Sequence, residues 1–188
     1  MEIGATKAVQ DRLKTTKIEE SKGASLVFCW DTHLTKIKGR NVLFIVNASN
    51  RYTIAMTDIE PRNWNYYTMY IRSVIHGVMQ EMGYSEDQIG QYFKMSGDTT
   101  VTKTHGRKSV GGIKRMVMDA QYFGKKLEKE AKYQWELSEY LNRDICQPEG
   151  FDAYGYPSEL FKLDMERLGI AAKRKPAKVI DIAQYIEN

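Results

Sequence analysis

A chain of 188 residues with 42% hydrophobic and 28% charged side chains has the size and composition of one globular domain, which excludes a disordered or fibrous chain. Its 28 Lys and Arg against 24 Asp and Glu leave a formal charge of +4, a mild excess compatible with a polyanionic partner but no proof of one. Two distant cysteines, Cys29 and Cys146, with no C-x-x-C pair, exclude a disulfide scaffold, and no run approaches the ~18 apolar residues of a membrane span.

In chain order, Met1 to Ala5 reads as a short strand, and Thr6 as the N-cap of a helix through Leu13. Thr15 to Ala24 is polar and reads as a loop. Leu26 to Ile37, Val42 to Val46 and Tyr52 to Met56 are strand-like and separated by Gly- and Asn-containing turns, which predicts an antiparallel meander. Cys29 lies in the first of these runs as a small buried hydrophobe. Pro61 opens an amphipathic helix that Gly83 stops, and Ser85 to Gln88 is a capping box for a second helix. Asp98 to Thr104 reads as a fourth meander strand.

Ser109 is then the expected N-cap of a long helix whose apolar stripe runs to about Leu141. Asp144 to Tyr156 is a loop, and Pro157 starts a short helix ended by Gly169. Lys173 to Pro176 reads as a basic linker, and Val179 to Ile182 as an edge strand or a segment docked on the surface. The fold class expected is α+β: a small, mostly antiparallel sheet with helices on one face, then a long helix and a helical C-terminal extension. The expected division is a core domain over 1–123 and an extension with a basic tail over 124–188.

The run Thr102 to Ser109 concentrates the chemistry. It holds Lys103, Thr104, His105, Arg107, Lys108 and Ser109 at a strand–turn–helix junction. Free N–H groups and the positive dipole end make a helix start an anion site. Phosphate is the ligand expected there, with Arg51 extending the basic rim. Between Lys103 and Lys132 nine cations (Lys103, Arg107, Lys108, Lys114, Arg115, Lys125, Lys126, Lys129, Lys132) face three acids (Asp119, Glu128, Glu130), the footprint of a nucleic-acid partner or of a solvated helix face.

His105, read as exposed, is the candidate general base for metal-independent RNA cleavage, with His33 as the second candidate. Strand alternation puts Asp31 and His33 on one face, where the carboxylate could orient the imidazole. Asp31, His33 and His105 are too few for a convincing metal site, so neither metal nor cofactor is expected. No P-loop, G-x-G-x-x-G, H-E-x-x-H or G-x-S-x-G occurs, which argues against nucleotide hydrolysis, dinucleotide chemistry and the common hydrolases.

Four separated motifs carry a resemblance: Ile3-Gly4-Ala5-Thr6-Lys7; Trp30-x-x-His33; Leu43-x-x-Val46-Asn47-x-x-x-Arg51-Tyr52; and Thr102-Lys103-Thr104-x-x-Arg107-x-Ser109-Val110-x-Gly112. Over about Met1 to Phe123 the chain resembles an uncharacterised domain-of-unknown-function family of Gram-positive bacteria and their mobile elements. The resemblance implies a fold class and a mobile-element setting, not a mechanism. In size and charge the chain is also similar to some anti-CRISPR proteins.

The expectation is a phage- or plasmid-type anti-defence protein that binds nucleic acid, RNA ahead of DNA, or a ribonucleoprotein, with guide-RNA cleavage if it is an enzyme. The alternative is a protein-interaction module or homodimer without a nucleic-acid role. With no signal-peptide pattern, a cytoplasmic location and no membrane partner are expected.

Overall fold

The computed structural model describes residues 1–15 and 18–172, and the fold is α+β. The expected basic linker and edge strand over 173–182 lie outside the described residues. A five-stranded mixed sheet has the order β4-β3-β2-β1-β5, formed by β1 (Glu2–Ala5), β2 (Cys29–Ile37), β3 (Arg40–Asn47), β4 (Thr53–Thr57) and β5 (Thr100–Thr102).

The β2–β3–β4 meander forms as the turn chemistry dictates. Lys38 and Gly39 both have positive φ, 49° and 82°, which closes a two-residue hairpin whose twist matches its strands. At the next turn the Asn47 side chain accepts from Ser49 N and Asn50 N, and the Asn50 side chain accepts from Tyr52 N.

The last short strand departs from the meander. β1 lies parallel to β2 on one side and to β5 on the other, so Thr100–Thr102 pairs at the far edge. The outer edge of β4 is already taken. Gln134 N donates to Ala55 O, Ala55 N donates to Ser138 Oγ, and Thr53 N donates to Asn142 Oδ1. These partners at four-residue spacing line one helical face and satisfy the edge groups that would otherwise invite another strand.

Helices cover both faces of the sheet, not one. On the first face Ile3, Trp30, Leu43 and Ile45 pack with α3 (Tyr67–Glu81), α4 (Glu86–Ser96) and α7 (Pro157–Arg167), which contributes Phe161 and Met165. On the second, Val42, Phe44 and Val46 pack with α5 (Gly106–Gln121) and α6 (Trp135–Asn142). The reason is visible in β3: Val42 to Val46 is apolar at every position, so each pleat face needs a cover.

The long helix expected to about Leu141 ends at Gln121. Of the stripe expected beyond it, Leu127, Gln134 and Leu141 are buried but Gly124 and Trp135 are exposed, and Phe123 and Leu137 fill the core instead. Between α5 and α6 the backbone is instead extended where Thr57 N donates to Lys132 O, a bond to a sheet edge that a helical carbonyl would not be free to make. The stretch after Phe123 thus supplies side chains to both cores.

The first helical segments match the sequence reading more closely. α1 (Lys7–Leu13) follows Thr6, and Ser85 and Gln88 form the capping box of α4. The helix from Pro61 is broken at Tyr66 into α2 (Pro61–Asn65) and α3.

Candidate functional site

The register of three strands sets the site. Glu2 pairs across to Cys29 and Gly4 to Asp31, so all four point to the second face of the sheet. α5 begins above them. Its N-cap is His105, not Ser109, and the imidazole turns inward.

His105 Nδ1 lies 2.7 Å from Asp31 Oδ1, and Nε2 lies 3.0 Å from Glu2 Oε2. The side chains of His105, Asp31 and Glu2 are 2%, 0% and 5% exposed, so the expectation of an exposed His105 is overturned. Asp31 also accepts from His105 N and from the Ser109 hydroxyl. Ser109 therefore serves a buried carboxylate from within the first turn.

The helix start does hold an anion, and the chain itself provides it. Asp31 occupies the position at the α5 N-terminus that the sequence assigns to phosphate, where the helix dipole and three donors stabilise its charge. Gly4 makes this possible. A Cβ at that position would overlap Asp31 Oδ1 outright and come within 3.1 Å of His105 Nδ1. A glycine inside a strand is the sequence signal for such an approach, and it stands in the Ile3-Gly4-Ala5 motif.

Burial works against a charged His105, but hydrogen bonds and charge from Asp31, with Cys29 adding to them, outweigh it and push the imidazole pKa up to about 10. For Glu2, burial also opposes ionisation. Hydrogen bonds from the Ser21 hydroxyl at 2.6 Å, Lys22 N at 2.8 Å and His105 hold its carboxyl below the usual range. Residues 18–25 thereby lie over the cluster, with Lys103 N donating to Glu19 O and Lys103 ion-paired to Glu20.

His33 is separate from this cluster. Its Nδ1 lies 3.1 Å from Thr6 Oγ1, and burial lowers its pKa. Asp31 and His33 share a face, but the carboxylate orients His105. The Asp31–His33–His105 set does not converge. Glu2, which sequence reasoning did not single out, and Cys29, which it read as a small buried hydrophobe, stand in its place.

The remaining candidates stay on the surface. Thr104 O accepts from Gly106 N. Lys108 donates to Pro148 O, and the Arg51 guanidinium donates to Gly112 O at 3.3 Å. Arg107 and Lys114 are exposed and, among the described residues, make no ion pair. They line a shallow depression of about 430 Å³ with Thr104, Gly106, Val110 and Gly111. A neighbouring one of about 230 Å³ carries Arg51, Lys108 and Arg115 and shares Gly111.

The sequence matches the family described as a domain of unknown function (DUF6933) over residues 2–160, and the chain belongs to that family. No curated protein and no solved structure matches it. No helix among the described residues is long and apolar enough to cross a membrane.

Proposed function

We propose that this family member binds a polyanion of the nucleic-acid class on the outer face of the first turns of α5. The observation that carries the reading is the pair of depressions meeting at Gly111. Five cations rim them (Arg107 and Lys114 on one side, Arg51, Lys108 and Arg115 on the other). Arg107 and Lys114 stand seven residues apart on one helical face, as a backbone-tracking contact requires. A Cβ at Gly111 would meet nothing within 4 Å, so the helix backbone is open to a close ligand.

A phage- or plasmid-type anti-defence protein that engages RNA or a ribonucleoprotein would use such a surface. The mobile-element setting of the resembling family supports that role. Cleavage by His105 is not part of the proposal, because both ring nitrogens are engaged by carboxylates in the interior.

A second reading rests on a different patch. Tyr122, Trp135 and Tyr140 are 80%, 45% and 44% exposed, and the last two line a cavity of about 520 Å³ with Phe123 and Arg143. Aromatic exposure of this kind suits a protein partner.

Fluorescence anisotropy with labelled single-stranded RNA and DNA separates the readings. The expected affinity falls steeply between about 50 and 200 mM salt, and Arg107→Ala with Lys114→Ala flattens the log–log salt slope by about 1.4. Absence of binding at the low-salt end, or an unchanged slope in the double variant, overturns the nucleic-acid reading.

A further inference from the structure

The buried Glu2–Cys29–His105 cluster has a composition that a structural ion pair does not need. One ligand atom from each residue lies within 4.8 Å of the other two, all three residues are buried, and no other described His, Cys, Asp and Glu side chains converge in this way. Glu2 and Cys29 are register partners on adjacent parallel strands, so the sheet fixes their spacing. His105 reaches them from a helix start 103 residues from Glu2 in sequence.

The imidazole is already set for coordination. Asp31 accepts at Nδ1, which leaves Nε2 directed at the Glu2 carboxylate. A carboxylate behind a ligating histidine is the usual means of fixing its tautomer and raising its basicity. Asp31 is itself held by Ser109 and the His105 backbone, and Glu2 by Ser21 and Lys22 N. Both carboxylates are thus oriented independently of any ion.

We propose that His105 Nε2, the Cys29 thiolate and the Glu2 carboxylate bind a zinc-class divalent ion, with Asp31 as the orienting carboxylate. Imidazole with thiolate selects a borderline ion such as Zn²⁺ or Co²⁺ over Mg²⁺ or Ca²⁺. Three protein ligands leave the fourth tetrahedral position to water. Ligands on one tetrahedral ion stand about 3.3–3.7 Å apart, so the His105–Glu2 pair opens slightly from its 3.0 Å contact to admit the ion. The ion would tie β1, β2 and the start of α5 together beneath residues 18–25. This site is independent of the nucleic-acid surface.

The test is a Co²⁺ titration of the full chain, purified without a metal-affinity tag and stripped with chelator. The expected result is one equivalent bound, with the visible bands of tetrahedral cobalt and a near-ultraviolet thiolate charge-transfer band. Cys29→Ser removes the charge-transfer band, and Cys146→Ser retains it. Asp31→Asn keeps the spectrum but weakens binding about 10–100-fold. Far-ultraviolet circular dichroism confirms that each variant is folded, and Cys29→Ser, a near-isosteric change, carries the test if Asp31→Asn does not fold. Binding below one equivalent, an octahedral spectrum, or a thiolate band that survives in Cys29→Ser overturns the site.

Discussion

Asp31 Oδ1 and His105 Nδ1 lie 2.7 Å apart although 74 residues separate them in the chain. The contact joins a central strand to the start of a helix, and it fills the helix's anion position from within the protein. It also depends on the missing side chain at Gly4.

Gly4→Ala should therefore destabilise the fold by about 1–3 kcal/mol, the range for a side chain forced into packed space. Gly77, in the middle of α3, has nothing within 4 Å of an added Cβ. Gly77→Ala should instead stabilise by about 0.5–1 kcal/mol, because alanine is the better helix former. Urea denaturation of both variants beside the parent checks the opposite signs.

The raised pKa of His105 sets an alkaline limit on the metal-free protein. Its folded pKa of about 10 stands above the ordinary value of 6.5. The charged imidazole thus contributes stability that is full below about pH 6.5 and is lost as pH rises through about 10. Glu2, held below its ordinary range, acts in the other direction: its contribution is present above the unfolded carboxyl pKa and is lost as pH falls through the folded one. Unfolding free energies across pH should show an alkaline decline that is absent in His105→Gln; equal declines in both proteins would refute this assignment.

Two tyrosines with buried hydroxyls should respond differently to the loss of that group. Trp30 Nε1 donates to Tyr92 OH at 2.9 Å, and Tyr92 donates onward to Val27 O at 2.7 Å. Tyr92→Phe strands Trp30 Nε1, while Val27 O keeps its bond from Asn47 Nδ2 at 2.9 Å, and should cost about 1–3 kcal/mol. The buried Tyr70 hydroxyl has no hydrogen-bond partner among the described residues. Tyr70→Phe should be neutral or mildly stabilising, and thermal melts of the two variants should order them accordingly.

The sequence alone determined the elements whose signals are local. Turn residues at Lys38-Gly39 and Asn47 to Asn50 specify the β2–β3–β4 meander, and Ser85 with Gln88 specifies the start of α4. Past Gln121 the predicted stripe is only partly buried: Leu127, Gln134 and Leu141 are inside, but Gly124 and Trp135 are exposed while Phe123 and Leu137 are buried instead, because the helix breaks and its period no longer sets which residues face inward. The basic residues at the α5 start pointed to an external phosphate, whereas the anion at the helix start is the chain's own Asp31, held by His105 and Ser109.

Only the tertiary structure decided which anion it is. The parallel pairing of β1 with β2 and β5, which no turn encodes, puts Glu2 beside Cys29 and Gly4 beside Asp31. It turns His105 from a surface histidine into the centre of a buried cluster. A free-energy minimum that satisfies a buried carboxylate with a helix N-terminus and an imidazole is a property of long-range packing, and the composition of the segment Thr102 to Ser109 carries no record of it.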